Sequence, residues 1–245
     1  MDKLQPRAII FDLGSTLIEY ETIPWDELGV ECAESGRKYL LSKGYDLPGE
    51  TEFHDAFAKV RQGYRERALE SLVEWDVPTV ARQLFERLNI PFDDNLIDAF
   101  FDAYYEPVQS RLFVYEDVLE TLDTLKSACS VMGLVSNTVF PERAHRGELK
   151  RFGVEPFLDF AVFSSSFGLR KPHPDIFHHA INRAGVAPGE AVYVGDRYME
   201  DVEGPTGIGM HAILKVVAKR EYPPEMPAAD RRIERLADLT GHIQA

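Results

Sequence analysis

The chain has 245 residues, with 41 acidic against 27 basic side chains and a formal charge of −14 at neutral pH. That size suits one large α/β domain or a core carrying a smaller insertion. The charge argues against nucleic acid or an anionic membrane as partner, but leaves a small anionic substrate open, because local cations and a metal ion can outweigh a diffuse negative field inside a closed cleft.

Residues 7–13, Arg-Ala-Ile-Ile-Phe-Asp-Leu, form an apolar run that ends in an acid and a Gly-Ser-Thr turn, the pattern of a buried strand. The first ten residues enter that run without a basic leader segment, which predicts a cytoplasmic protein. Residues 20–110 change character, with helical patterns at 25–43, 51–70, 77–88 and 94–105 broken at Gly44, Pro48, Pro78 and Pro91. Cys32 in this stretch and Cys129 beyond it lack metal or redox spacing, so each is expected to be a small buried apolar residue. Beyond residue 110, strand-like runs at 130–135, 160–164, 191–194 and 211–216 alternate with helical patterns at 116–129, 141–152 and 174–184. This alternation predicts an α/β fold, a doubly wound parallel sheet of Rossmann-like form, built from residues 1–19 and 111–245. The helical segment 20–110 is expected to be an inserted all-α unit lying over that sheet. Residues 223–227, rich in proline, read as a loop.

Four positions draw attention because each falls at the carboxyl end of a different expected strand or on the loop after it, where parallel sheets open onto their ligands. They are Asp12, Ser136, Lys171 and Asp196. Asp12 alone could cap the following segment, and Ser136-Asn137-Thr138 could cap a helix or donate to a phosphoryl oxygen. Lys171 is followed by Pro172 and Pro174, which fix the backbone around it, although Arg170 and Lys171 alone could be solvated cations. Gly195-Asp196 and Asp201, together with Asp12, would suit a hard divalent cation. Independent coincidence at all four strand ends is improbable.

These residues resemble the haloacid dehalogenase superfamily, specifically members with a helical cap inserted after the first core strand. Phe11-Asp12-Leu-Gly-Ser-Thr16-Leu is similar to the family's first motif, Val135-Ser136-Asn137 to its second, Lys171-Pro-His-Pro to its third and Gly195-Asp196 through Asp201 to its fourth. The resemblance implies a Mg²⁺-dependent phosphatase acting on small phosphorylated metabolites, a monomer or homodimer, in which Asp12 attacks phosphorus and an aspartyl-phosphate is then hydrolysed. It further implies that Ser136, Asn137 and Lys171 bind the phosphoryl group. Mg²⁺ would be held by Asp12, the Gly14 carbonyl and Asp196, with Asp201 in an outer position or orienting Lys171.

One departure matters. Phosphatases of this family usually carry a second aspartate two residues after the nucleophile, where this chain has Gly14. A main-chain carbonyl survives that change, but a general acid/base contribution of about 10²–10⁴ in rate is lost. Three readings follow: a phosphatase favouring good leaving groups or recruiting Glu19, Glu21 or His54 as acid; a metal-independent 2-haloacid dehalogenase; or a weak or inactive scaffold that binds and regulates. In the insert, Arg61 and Arg65 share a helix face. The glycines at 204, 207 and 209 precede a strand instead of following one, so they read as tight turns, and His178-His179 shows no metal spacing.

Overall fold

In a computed structural model of the protein, residues 3–244 are described. The chain opens with β1 (Ala8–Phe11) and a two-residue strand, β2 (Ile18–Glu19), and then enters four helices, α1 (Trp25–Ser42), α2 (Glu50–Ser71), α3 (Val77–Arg87) and α4 (Asp94–Gln109). It continues through β3 (Phe113–Val114), α5 (Val118–Lys126), β4 (Val131–Ser136), α6 (Glu142–Arg151), β5 (Phe160–Phe163) and one turn of helix, α7 (Ser164–Phe167). After α8 (Pro174–Ala184) and β6 (Ala191–Gly195) come a π-type turn at Tyr198–Glu203, a short α9 (Gly204–Thr206), β7 (His211–Lys215), β8 (Arg231–Ile233) and α10 (Leu239–His242).

Two compact units result. The first runs to Glu19, resumes at Phe113–Thr138 and continues from Glu142; the second is Tyr20–Leu112 with Val139–Pro141. Arg111, Leu112 and Val139–Pro141, placed above in the core, thus belong to the helical unit. Local contacts explain why: the Val77 amide donates to Val139 O at 2.9 Å, and the Phe140 ring lies 4.5 Å from that of Tyr105.

The first unit is a six-stranded parallel sheet in the order β5-β4-β1-β6-β7-β8. Central position explains the uninterrupted apolar run of β1: all four of its residues are fully buried, between β4 on one edge and β6 on the other. Ala8 and Ile10 pack with Ile176, Phe177 and Ala180 of α8, while Ala212 and Leu214 of β7 meet Val202 and Met226. Successive crossovers from β1 go first to one side and later to the other, so the carboxyl end of β1 lies at the switch point where ligands of such sheets bind. Three strands escaped the sequence reading. The β2 and β3 pieces pair antiparallel but have two residues each, too short for a period to register, and β8 begins Arg231-Arg232, a polar edge without an apolar run.

The second unit is helical, and capping chemistry sets its boundaries. Asp76 accepts from the Thr79 amide and Asp93 from the Leu96 amide, each at 2.8 Å. The α4 helix runs past Pro107, beyond the end expected at 105, and Arg111 Nη1 donates to Pro107 O at 2.7 Å. Aromatic rings fill the interior: Phe100 meets Phe85 edge-on at 5.1 Å, and Phe57 lies 5.3 Å from Tyr104. A Cβ on Gly36 of α1 would come within 2.5 Å of the Phe100 ring, so glycine is what allows α1 and α4 to approach there. Cys32 is buried as expected, whereas Cys129 in the first unit is half-buried, its thiol 3.4 Å from Val131 O. Arg61 and Arg65 lie one turn apart on α2, as expected, but in different surroundings: Arg61 is half-buried and hydrogen-bonds Tyr104, while Arg65 is exposed.

Phe100 lies at the centre of this interior and is fully buried. Phe100→Ala should cost about 3–5 kcal/mol, read from the shift in urea midpoint at constant m-value.

Candidate active site

Asp12 follows directly on β1, and its amide continues the sheet pairing by donating to Val194 O at 2.8 Å. The chain then folds back sharply. Ser15 takes a left-handed φ of 55°, and its amide donates to Ile18 O at 2.8 Å, which holds the Asp12-to-Ser15 turn against the start of β2. Asp12 keeps only 7% of its surface exposed, which places a carboxylate at the edge of the apolar core.

Lys171 makes that burial tolerable. Its ammonium group donates all three protons, to Asp12 Oδ1 at 2.7 Å, Asp201 Oδ1 at 2.6 Å and Tyr193 Oη at 2.9 Å. Tyr193, fully buried in β6, passes its own proton to Val135 O at 2.8 Å, so a strand end and a lysine are tied through one phenol. The Lys171 main chain is clamped by Asn137, whose Nδ2 donates to Lys171 O at 2.9 Å and whose Oδ1 accepts from Lys171 N at 2.7 Å. Thr138, next in sequence, is fixed in turn: its amide donates to Ser164 Oγ at 2.8 Å. Its Oγ1 lies 2.6 Å from His145 Nε2, and His145 Nδ1 lies 2.9 Å from Glu148 Oε2. Attraction to Asp12 and Asp201 outweighs desolvation and holds the Lys171 ammonium well above its ordinary range, so it stays charged.

The fourth segment supplies two more acids. Asp201 sits on the π-type turn and is fully buried; its Oδ2 accepts from the amides of Asp196 at 3.0 Å and Arg197 at 2.8 Å, while Oδ1 takes the Lys171 proton. Its side chain lies over Gly195, where an added Cβ would fall 2.4 Å from the Asp201 carboxyl carbon. Asp196 is fully buried as well. Its Oδ2 receives Arg220 Nε and its main-chain oxygen receives Tyr222 Oη at 3.0 Å, but its Oδ1 is buried without a hydrogen-bond partner. Each of Asp12, Asp196 and Asp201 brings a carboxylate oxygen within 4.8 Å of the others.

Burial and neighbouring acids raise the proton affinity of two of these carboxylates, Asp12 and Asp196. Burial, opposed by Lys171 and reinforced by Asp201, pushes Asp12 up to about 6. Burial, then Asp12 and Asp201, pushes Asp196 up to about 7 against the pull of Arg220. An orphaned buried oxygen beside two further carboxylates is an oxygen-only donor set with surplus negative charge, and it fits a hard divalent cation.

The structure therefore gathers Asp12, Lys171, Asp196 and Asp201 in one bonded cluster, with Asn137 buttressing the lysine and Ser136 buried at the end of β4. Both polar atoms of Asn137 face the Lys171 backbone, so its visible work is holding that loop. Of the acids considered as substitutes at position 14, Glu19 is buried among donors: Tyr115 Oη at 2.5 Å, Lys219 Nζ at 2.9 Å and Ser15 Oγ at 3.3 Å. His54 is paired with Glu34 at 3.1 Å inside the helical unit. Sequence reasoning missed Tyr193, Arg220 and Tyr222. Tyr193 looks like one more apolar residue of a buried strand, and the only hint is that a fully buried phenol needs a partner. Arg220 and Tyr222 lie in a loop with no periodic signal.

A family model described as haloacid dehalogenase-like hydrolase matches residues 6–209. The chain belongs to the haloacid dehalogenase-like hydrolases. This hydrolase is 36% identical, over 85% of its length and 84% of the relative's, to a glyceraldehyde 3-phosphate phosphatase of Methanothermobacter thermautotrophicus. Among solved structures it resembles a HAD phosphatase from Thermococcus onnurineus, at 26% identity and a TM-score of 0.63 over 96% of both chains. It also shares the fold of a 2-haloacid dehalogenase from Pseudomonas syringae, at 21% identity and a TM-score of 0.73 over 96% of this chain and 97% of that one. No helix among the described residues is long and apolar enough to cross a membrane.

Because the folded state raises Asp196 from an ordinary carboxylate value to about 7, the protonated form is the favoured one. The stability tied to this group is full below about pH 4 and is lost as pH climbs through about 7. The fall in melting temperature of the parent protein between pH 4.5 and pH 8 in EDTA, measured by differential scanning fluorimetry, should therefore be smaller in Asp196→Asn.

Proposed function

We propose that this hydrolase is a Mg²⁺-dependent phosphatase of small phosphorylated metabolites, with Asp12 as nucleophile. The observation that carries the reading is the buried cluster in which Lys171 bridges Asp12 and Asp201 while Asp196 keeps an unpartnered oxygen beside them. Asp12, the Gly14 carbonyl and Asp196 would hold the ion, and Asp201, both of whose oxygens are engaged by Lys171 and two amides, orients the lysine. When bound, the ion offsets the charge of the acid cluster and draws electron density from the phosphoryl oxygens.

The chain's own residues then do the following. Lys171 fixes Asp12 Oδ1 and keeps the carboxylate ionised against its burial, so an oxygen lone pair can attack phosphorus. Ser136, and the ammonium of Lys171 once it shares its protons, steady the equatorial oxygens. The P–O bond to the alcohol breaks as the Asp12–phosphorus bond forms, and water later attacks the same phosphorus, releasing phosphate and the free carboxylate. No carboxyl side chain stands at position 14 to protonate the departing alkoxide or to activate that water. Glu19 is held by Lys219, Tyr115 and Ser15, so its carboxylate is already committed to other partners. The substrate class follows from relatives named for glyceraldehyde 3-phosphate, and Gly14 favours esters whose leaving group needs no proton.

A panel of phosphate esters assayed with Mg²⁺, with EDTA and with Asp12→Asn tests the reading. Turnover should vanish in Asp12→Asn and in EDTA. In the parent protein, log kcat/KM should fall steeply with leaving-group pKa, so that aryl and acyl phosphates exceed glyceraldehyde 3-phosphate by about 10²–10⁴. Persistent activity in Asp12→Asn would overturn the nucleophile, and a flat leaving-group plot would show that another acid has replaced the missing one.

A further inference from the structure

The loop between β7 and β8, which in sequence showed only its proline-rich stretch at 223–227, sends three side chains into the site region. Lys219 Nζ meets Glu19 at 2.9 Å, Arg220 Nε donates to Asp196 Oδ2, and Tyr222 Oη donates to Asp196 O at 3.0 Å. The loop is folded to do this. The Arg220 amide donates to Val217 O at 3.0 Å, closing a turn, and the Val217 amide donates to Tyr222 Oη at 3.0 Å, which points the phenol back at Asp196. Asp196 is thereby gripped at its main chain and at one carboxylate oxygen by residues 24 and 26 positions further along the chain.

The grip is asymmetric. Oδ2 has its cation, whereas Oδ1 is buried with no partner at all. A buried carboxylate held only by its backbone could rotate and satisfy either oxygen on a nearby amide; one oxygen pinned by a guanidinium fixes the plane of the group and leaves the other to face outward from that bond. The Arg220 side chain keeps only 15% of its surface exposed and Asp196 1%, so this is a desolvated pair whose geometry solvent does not average out. A purely structural latch would be satisfied by engaging both oxygens, and the orphaned one is what that account leaves unexplained.

We infer that Arg220 is a positioning residue for the divalent-cation site, holding Asp196 Oδ2 so that Oδ1 is presented as a ligand, with Tyr222 fixing the backbone beneath it. This inference rests on the Mg²⁺-dependent reading above. Groups one bond removed from a metal ligand commonly contribute about 10–100-fold to metal affinity when they orient that ligand.

Isothermal titration of the metal-free protein with MgCl₂ tests the inference, with Mg²⁺-dependent melting as a second readout. Arg220→Met should bind Mg²⁺ about 10–100-fold more weakly. Arg220→Lys, which keeps the charge but loses the planar fork, should recover part of that loss, and Tyr222→Phe should show a smaller loss. In steady-state assays kcat should return toward the parent value as Mg²⁺ is raised, because the defect lies in occupancy; damage to packing alone would not be titrated away. If Arg220→Met fails to fold, Arg220→Lys and Tyr222→Phe carry the comparison with the same sign. Unchanged or tighter Mg²⁺ binding in these variants, beside a parent that binds, would overturn this inference alone. A parent protein with neither heat nor melting response to Mg²⁺ would overturn it together with the reading on which it rests.

Discussion

Three carboxylates stand within one small buried volume, and the ammonium of Lys171 is what holds two of them together. It spends every proton it has on Asp12, Asp201 and Tyr193, and each recipient belongs to a different segment. Removing one member of such a buried set leaves the others uncompensated, at a cost of about 3–5 kcal/mol. That constraint explains the surrounding detail. Asn137 must clamp the Lys171 backbone, Gly195 must lack a side chain so that Asp201 can lie over it, and the π-type turn must carry Asp201 back toward its own strand.

The cluster also separates two tasks that are usually discussed together. Lys171 and Arg220 balance part of the acid charge from opposite ends, one through Asp12 and Asp201, the other through Asp196. Neither reaches Asp196 Oδ1. The free protein thus carries a localised excess of negative charge, and the elevated proton affinities of Asp12 and Asp196 are the same excess expressed in another way. Such a site is unfavourable for the fold on its own terms, which is a common cost of holding charged groups apart from solvent.

How much of this was legible in the sequence depends on whether a feature is local. The strand-then-acid pattern at Phe11-Asp12 and Gly195-Asp196, and the prolines after Lys171, are local, and they marked the strand ends that the sheet brings side by side. The helices of the second unit were likewise written in caps and periodicity, apart from the run of α4 through Pro107. What escaped is non-local. Tyr193 acquires its meaning only when β6 lies beside β1 and Lys171 arrives, and Arg220 only when its loop turns back on Asp196. The short β2, β3 and β8 strands exist because a neighbour's backbone needs pairing, and no pattern of their own announces them.

The fully buried β1 strand is synthesised well before the lysine that pairs with Asp12, which lies 159 residues later. At ordinary translation speeds of about 5–20 residues per second, that gap corresponds to a delay on the order of 10–30 s. For most of that interval an apolar strand has no β4 to pair with, β6 is still to come when Lys171 appears, and the acid at its end has no counter-ion. The order of residues along the chain thus separates Asp12 from its counter-ion by most of the sheet's synthesis, and Asp196, Asp201 and Arg220 arrive later still.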